Sequence, residues 1–343
     1  MDDLDSRVLR TACAWVDAAE PAALVTVVRT WGSAPRPPGS LMAINGRGET
    51  VGSVSGGCIE DDLIDHIRQG GIGAICATGL PTAVRYGISA DQAHRFGLPC
   101  GGTMELVVEP LSHRSRLAEV LDACTRRQNI ERQLDLHTGR VQLAPAACEA
   151  APQLDDASLR TTFGPRARII AIGAGDLSAF LCQIALGLGF EVVVCDPRAE
   201  HRATWCVTGV EVSHEMPDDL ILRLQPDTRT AVVALTHDPK LDDLALIDAL
   251  QSQAFYVGAI GSRRNAAMRA ERLKTHFGLS ASDLQGLHSP AGLYIGSKTP
   301  AEIALSIMAE VVAAKNGVPA GQPLPVARAK QEVERAAALQ RCD

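Results

Sequence analysis

The sequence predicts an α/β protein: a C-terminal, doubly wound parallel sheet of Rossmann type, preceded by an α/β domain built on a mixed sheet. Three observations carry that reading. From Ala167 onward, continuous apolar runs of strand length alternate with helical segments, as in parallel sheets buried on both faces. The first of these runs, ARIIAIG, passes directly into the turn Gly173-Ala174-Gly175. Before about residue 160 the runs are shorter, β-rich and punctuated by turn signals such as Asn45-Gly46.

Taken in order, a helix is expected over about 6–19, then a strand from Ala22 to Thr30 (AALVTVVRT). The proline-stiffened loop WGSAPRPPGS follows, and SLMAI and TVGSVS read as two strands of a hairpin, with Cys58 where the second ends. IEDDLIDHIRQ has helical spacing, with Ile59, Leu63, Ile64 and Ile67 on one face. TMELVVEP, 103–110, is a strand, so Cys100, Gly101 and Gly102 lie in the loop before it. A helix near 114–128, a hairpin around Thr138-Gly139 and a linker, AAPQLDDAS, complete the first half. In the second half Leu177–Gly187 reads as a helix and EVVVC as the next strand, closing on Asp196. TAVVAL and AFYVGAI are later strands separated by a helix near 240–251. Thr299-Pro300-Ala301-Glu302 combines a capping box with proline at the first helical position. The expected organisation is an N-terminal domain over 1–112, a connecting segment over 113–165, the Rossmann-like domain over 166–316 and a tail over 317–343.

Composition narrows the function classes. The 343 residues are 46% apolar and 21% charged, ordinary for a globular chain. Aromatics at 3% and a net charge of −7 argue against a nucleic-acid partner, which needs a basic face and stacking platforms. No apolar run reaches bilayer-spanning length, and the acidic start MDDLDSRVLR is unlike a secretion signal. The ten cysteines are scattered and include no Cys-x-x-Cys pair, so reduced thiols in a cytoplasmic protein are expected, not a disulfide framework.

Two kinds of loop carry chemistry. In IIAIGAGDLS, Gly173 allows the tight turn and Gly175 the approach of a phosphate to a helix start, although Ser178 replaces the third glycine. Asp196, about 20 residues on, is where a carboxylate would bond a ribose hydroxyl. His237, in THD, and Gly261-Ser262-Arg263-Arg264 lie at comparable strand ends, the latter suited to an anion. In the first half, Gly56 and Gly57 precede Cys58, and Cys100 precedes Gly101 and Gly102. A thiol at a helix start is favoured as thiolate, but Glu60, Asp61 and Asp62 in the same turn are expected to oppose ionisation. Cys58 therefore reads as a ligand to a soft metal or an acceptor of sulfur, or else as a small residue at a tight junction. Arg36, between prolines, is a candidate anion clamp.

GSAPRPPGSLMAI, GSVSGGCIE, CGGTMELVVEP, IGAGDLS, THD, GAIGSRRN and SPAGLYIGSKTPAEIALSIMAE, in this order, resemble the XdhC/CoxI family, the accessory proteins of xanthine dehydrogenase, aldehyde oxidoreductase and CO dehydrogenase type molybdoenzymes. The resemblance runs from about 20 to 316 and implies a chaperone that transiently binds the molybdenum cofactor, as molybdopterin or its cytosine dinucleotide. Such a protein shields the cofactor while a cysteine desulfurase supplies its sulfido ligand, then passes it to the apo-molybdoenzyme. On this sequence it makes Cys58 and Cys100 candidates to contact molybdenum or protect its sulfur, with the adjacent glycines shaping the pocket. The Gly173/Gly175 turn would hold a phosphate or nucleotide portion. An NAD(P)-dependent oxidoreductase relying on His237, a sulfurtransferase working through Cys58, and a plain interaction module are the rival readings. A homodimer is the default assembly for a soluble chain.

Overall fold

The structure, a computed structural model, describes residues 3–31, 36–74, 79–87 and 103–318; the chain divides into two compact units, 1–166 and 167–343.

The first unit opens with helix α1 (Asp3–Asp17) and strands β1 (Ala22–Trp31), β2 (Leu41–Asn45) and β3 (Thr50–Gly52). Helix α2 (Cys58–Gly70) and strands β4 (Thr82–Tyr86) and β5 (Thr103–Pro110) follow, in a sheet ordered β3-β2-β1-β5-β4. A mixed sheet was the expectation; among the described residues every pairing in it is antiparallel. β1 is apolar without alternation because both faces of the sheet are covered. Ala23, Val25 and Val27 meet Ile59, Leu63 and Ile67 of α2, while Leu24 meets Val8, Leu9 and Ala12 of α1. The β2–β3 connection runs over 46–49, longer than a two-residue turn, because the Asn45 side chain accepts from the amides of Arg47 and Glu49. β3 ends at Gly52, so Cys58 starts a helix six positions later and does not close a strand.

The remainder of this unit holds α3 (Leu117–Thr125) and strands β6 (Ile130–Asp135), β7 (Val141–Pro145), β8 (Gln153–Leu154) and β9 (Ser158–Phe163), in a second antiparallel sheet ordered β7-β6-β9-β8. The stretch expected as a linker is thus folded. Gln153 and Leu154 pair with β9, and Asp155 Oδ1 accepts from the amides of Ala157 and Ser158 to turn the chain. Arg132 of β6 is 2% exposed and donates Nη2 to Glu109 of β5 at 2.5 Å and Nε to the Ser115 carbonyl at 3.1 Å.

The second unit alternates strand and helix: β10 (Arg168–Ile172), α4 (Asp176–Gly187), β11 (Glu191–Cys195), α5 (Ala199–Ala203), β12 (Glu211–Ser213), α6 (Pro217–Leu224), β13 (Thr230–Ala234), α7 (Pro239–Gln251) and β14 (Tyr256–Ala259). Helices α8 (Arg263–Phe277) and α9 (Ala281–Leu284), strand β15 (Leu287–His288) and helix α10 (Pro300–Lys315) complete it. The parallel order β12-β11-β10-β13-β14-β15 reverses between β10 and β13, the hallmark of a doubly wound fold. Along β10, Ile169 and Ala171 face Leu181 of α4 and Ile307 and Met308 of α10. Ile170 and Ile172 face Leu220 of α6 and Leu241 and Ala245 of α7. Thr299 Oγ1 accepts from the Glu302 amide and Glu302 from the Thr299 amide, so α10 starts with the capping box read from the sequence. Among the described residues no helix is long and apolar enough to cross a membrane.

Candidate functional site

The loop before Cys58 is organised by Glu60, whose bonds to it sequence reasoning missed. Glu60, at the third position of α2, points back over the helix start into Ser53–Gly57. Its Oε1 accepts from Ser53 Oγ at 2.7 Å, Val54 N at 2.7 Å, Ser55 N at 2.8 Å and Gly56 N at 3.3 Å. Its Oε2 accepts from Gly57 N at 2.9 Å and from the Ser55 hydroxyl, which in turn accepts from Ile59 N. Successive amides of a turn make a concavity for an anion, and here the anion is the protein's own carboxylate. Burial alone would raise the Glu60 carboxyl; the Ser55 hydroxyl and amide and the Ser53 hydroxyl outweigh it and hold the group down at about 2. These donors are all neutral hydroxyls and amides, so the carboxylate keeps its charge in the first turn of α2 while it closes the loop. Asp62 is likewise engaged, by the Tyr86 hydroxyl at 2.9 Å and by His66.

Gly56 and Gly57 have φ of +90° and +143°, conformations that side chains resist, and among the described residues nothing lies within 4 Å of where a Gly57 Cβ would stand. Cys58 is the first residue of α2. Its side chain, with Cys100, Gly101 and Gly102, lies outside the described residues. Arg36 is half-buried and lines a cavity of about 360 Å³ that also takes in Ser53, Ser40, Asp5 and Glu149. The clamp candidate and the start of the SVSGGC loop thus border one hollow. Among the described residues no group of three or more His, Cys, Asp or Glu side chains is placed to hold a metal ion.

In the second unit the predicted residues gather at the carboxyl edge of the parallel sheet, because Ile172 pairs with both Cys195 and Ala234, and Ala234 with Ala259. Gly173, Asp196, Thr236-His237 and Gly261-Ser262-Arg263 therefore follow aligned strand ends. Gly173 has φ +111°, and a Cβ there would stand 2.8 Å from Thr236 Cγ2, so both the turn and the close approach require glycine. Around Gly175, at the start of α4, no described residue takes the space a Cβ would fill. Ser178, in place of the third glycine, is buried. Asp196 is buried and bonded to Ala174 N at 2.8 Å and to the Arg198 guanidinium at 2.8 and 2.9 Å. Burial pushes its carboxyl up, but these donors outweigh it and leave the group lowered. Ser262 caps α8 by accepting from Asn265 N, Arg263 is exposed, and His237 is exposed with φ +63°.

Sequence reasoning missed the buried charges that hold these loops. Arg269, 4% exposed, donates to Asp242, to Asp243 and to the Ile260 carbonyl, while Asp242 Oδ1 accepts from both Thr236 N and Thr236 Oγ1. The loops after β13 and β14 are thereby tied to one guanidinium. Glu310 of α10 does the same for the next loop, accepting from Tyr256 Oη and Gly292 N at 2.6 Å each and from His288 Nδ1 at 3.0 Å. An acid three turns into an apolar helix was the available signal. Cys182 and Cys195 are core residues whose thiols burial pushes up to about 12, so neither offers a thiolate at neutral pH.

Comparison with known proteins places these features in context. Residues 169–311 match the family described as the XdhC Rossmann domain, and residues 15–87 match the XdhC and CoxI family. The chain is similar to the molybdenum cofactor insertion chaperone PaoD of Escherichia coli K12, at 25% identity over 308 residues covering 90% of this chain and 88% of PaoD. It is similar to a Bacillus subtilis 168 protein described as a probable xanthine dehydrogenase component, at 25% identity covering 89% of this chain and 96% of that protein. A solved Bacillus halodurans structure, described as a xanthine dehydrogenase, shares the fold with a TM-score of 0.72 at 24% identity, covering 92% of this chain and 96% of that one.

Proposed function

Because this chain belongs to the XdhC and CoxI family, we propose that it is a molybdenum cofactor insertion chaperone for an enzyme of xanthine dehydrogenase type. The observation that carries the reading at residue level is the Ser53–Gly57 loop closed on Glu60. It presents Cys58 at the start of a 13-residue helix, next to backbone where no described residue crowds Gly57. That arrangement suits the cofactor: a thiol is a soft ligand for a soft metal, and open glycine backbone admits a bulky pterin. The cofactor would bring molybdenum in a sulfur-rich setting; Cys58 and Cys100 would contact the metal or shield its sulfur, and Arg36 would meet an anionic group. A cysteine desulfurase supplies the sulfido ligand in this scheme, and the apo-molybdoenzyme receives the loaded cofactor. The crevice of the second unit, with its Gly173 turn, would take a nucleotide portion or a separate nucleotide. The work is proposed to occur in the cytoplasm, with a homodimer as the assembly.

The test is metal and pterin content. The full chain is purified, reduced and anaerobic, from a host that makes the cofactor, beside Cys58→Ser and Cys100→Ser. Molybdenum and pterin together in the wild type, depleted in a variant, support the chaperone and locate its ligands. Absence of both from the wild type, with tight nicotinamide nucleotide binding, points to an oxidoreductase instead. A persulfide on Cys58, with cofactor retention unchanged in Cys58→Ser, points to a sulfurtransferase.

A further inference from the structure

Asp196 directly follows β11, the second strand of the Rossmann unit, where a carboxylate in such folds accepts from the ribose hydroxyls of a dinucleotide. In this chain that carboxylate is already saturated. Oδ2 accepts from Ala174 N at 2.8 Å and from Arg198 Nη2 at 2.8 Å; Oδ1 accepts from Arg198 N at 3.0 Å and from Arg198 Nε at 2.9 Å. Four donors fill about four lone-pair sites, and the residue has 0% exposure. A ribose diol arriving at this corner finds no acceptor there.

What it finds is Arg198. The Nε–Nη2 edge of the guanidinium is clamped on Asp196, and its side chain is 27% exposed. The opposite edge, Nη1 with the second Nη2 hydrogen, has no partner among the described residues. It is a fork of parallel donors, the geometry that grips two oxygens of a phosphate at once. Arg202, one turn further on, stands beside it and donates Nη1 to the Asp196 carbonyl at 2.6 Å. Glu200 and Asp238 are the other acids whose fields reach Arg198. Against them a neutral diol offers only weak acceptors, whereas a phosphate dianion offers charge-assisted ones.

We propose that the crevice of the second unit selects a nucleotide bearing a phosphomonoester on its ribose, held by the free edge of Arg198 with Arg202 alongside. This rests on the nucleotide reading of that crevice and names the class of nucleotide. Asp196 is then a positioning residue that aims the arginine, and the binding group is Arg198.

Titration calorimetry on the full chain with NADP+ and NAD+, which differ by one 2′-phosphate, tests the inference. Charge-assisted hydrogen bonds to a phosphate predict that NADP+ binds about 10- to 100-fold more tightly than NAD+. Arg198→Ala brings the ratio close to one, and Arg198→Lys keeps part of it. The wild-type ratio needs no variant, so the test survives if Arg198→Ala fails to fold. A ratio near one in the wild type, or one retained in folded Arg198→Ala, overturns this inference alone and leaves the nucleotide reading standing. Absence of binding by both probes overturns it together with the reading of the crevice as a site for a separate nucleotide. The chaperone assignment is decided separately, by molybdenum and pterin content.

Discussion

Glu60 Oε1 lies 2.7 Å from the amide of Val54, six positions earlier in the chain, so the helix that begins at Cys58 reaches back to shape the loop leading into it. The loop needs the ionised carboxylate, and the sign of the pH dependence follows. The folded-state value of about 2 is below the ordinary glutamate value of 4.5. The stabilisation is therefore fully present above the ordinary value and lost as pH falls through the lower one, with a size of about 3 kcal/mol by linkage. Glu60→Gln should lower stability at neutral pH by about 2–3 kcal/mol and flatten the acid limb of the profile. Urea unfolding of both proteins across that range checks it; superimposable acid limbs would contradict the role given to Glu60.

The glycines of the second unit's turn should part company on substitution. Gly173→Ala places a Cβ 2.8 Å from Thr236 Cγ2 at φ +111°, and should cost about 3 kcal/mol from strain and overlap together. Gly175→Ala meets no described residue at φ −100° and should stay within about 0.5 kcal/mol of wild type. Its effect belongs on nucleotide affinity, which should fall. Thermal unfolding and calorimetry read the two effects separately, and equal destabilisation by both variants would refute the distinction.

Arg269 neutralises two buried aspartates. Burial pushes the Asp242 carboxyl up while Thr236 and Arg269 pull it back. Arg269→Ala leaves Asp242 without its cation and Asp243 with Arg272 alone, and should cost about 3–5 kcal/mol. The double variant Arg269→Met/Asp242→Asn should recover part of that loss, since removing both partners costs less than orphaning one. Hydrogen exchange should quicken at Thr236 in the single variant, and unchanged protection there would argue against the tie between loops.

Glu310 is held below the usual carboxylate range although burial would raise it, because His288, Tyr256 and Gly292 all bond to it. Glu310→Ala should therefore cost about 2–3 kcal/mol and loosen the loop around Gly292. As with Glu60, a lowered acid stabilises above its ordinary value and fails on acidification. Limited proteolysis near Tyr294, which is 92% exposed, would report the loosened loop.

Much of the architecture was legible because it rests on local signals. The unbroken apolar run of β10, the Gly173 turn and the Thr299 cap all declare themselves within a few residues. AAPQLDDAS misled because β8 has only two residues and takes its stability from pairing with β9. The antiparallel first sheet depends on pairings between segments far apart in sequence, such as β1 with β5. At the candidate site the residue types were readable but their directions were not. Glu60 was read as a charge in the helix's first turn, and its bonds back to the Ser53–Gly57 loop went unread; Asp196 looked like a ribose acceptor and instead holds Arg198. Side-chain direction depends on which donors converge, and that is settled only when the chain has folded.

Arg132 carries a last consequence, for anyone who would cut or graft this protein. Because its guanidinium, 2% exposed, reaches from the second sheet of the first unit to Glu109 in the first sheet, the two sheets share one buried charge pair. Deleting the stretch that contains Arg132 would strand Glu109, and transplanting the neighbouring sheet alone would strand Arg132. The two sheets should accordingly melt in one transition, and a chimera joined between them should be recovered only when both partners travel together.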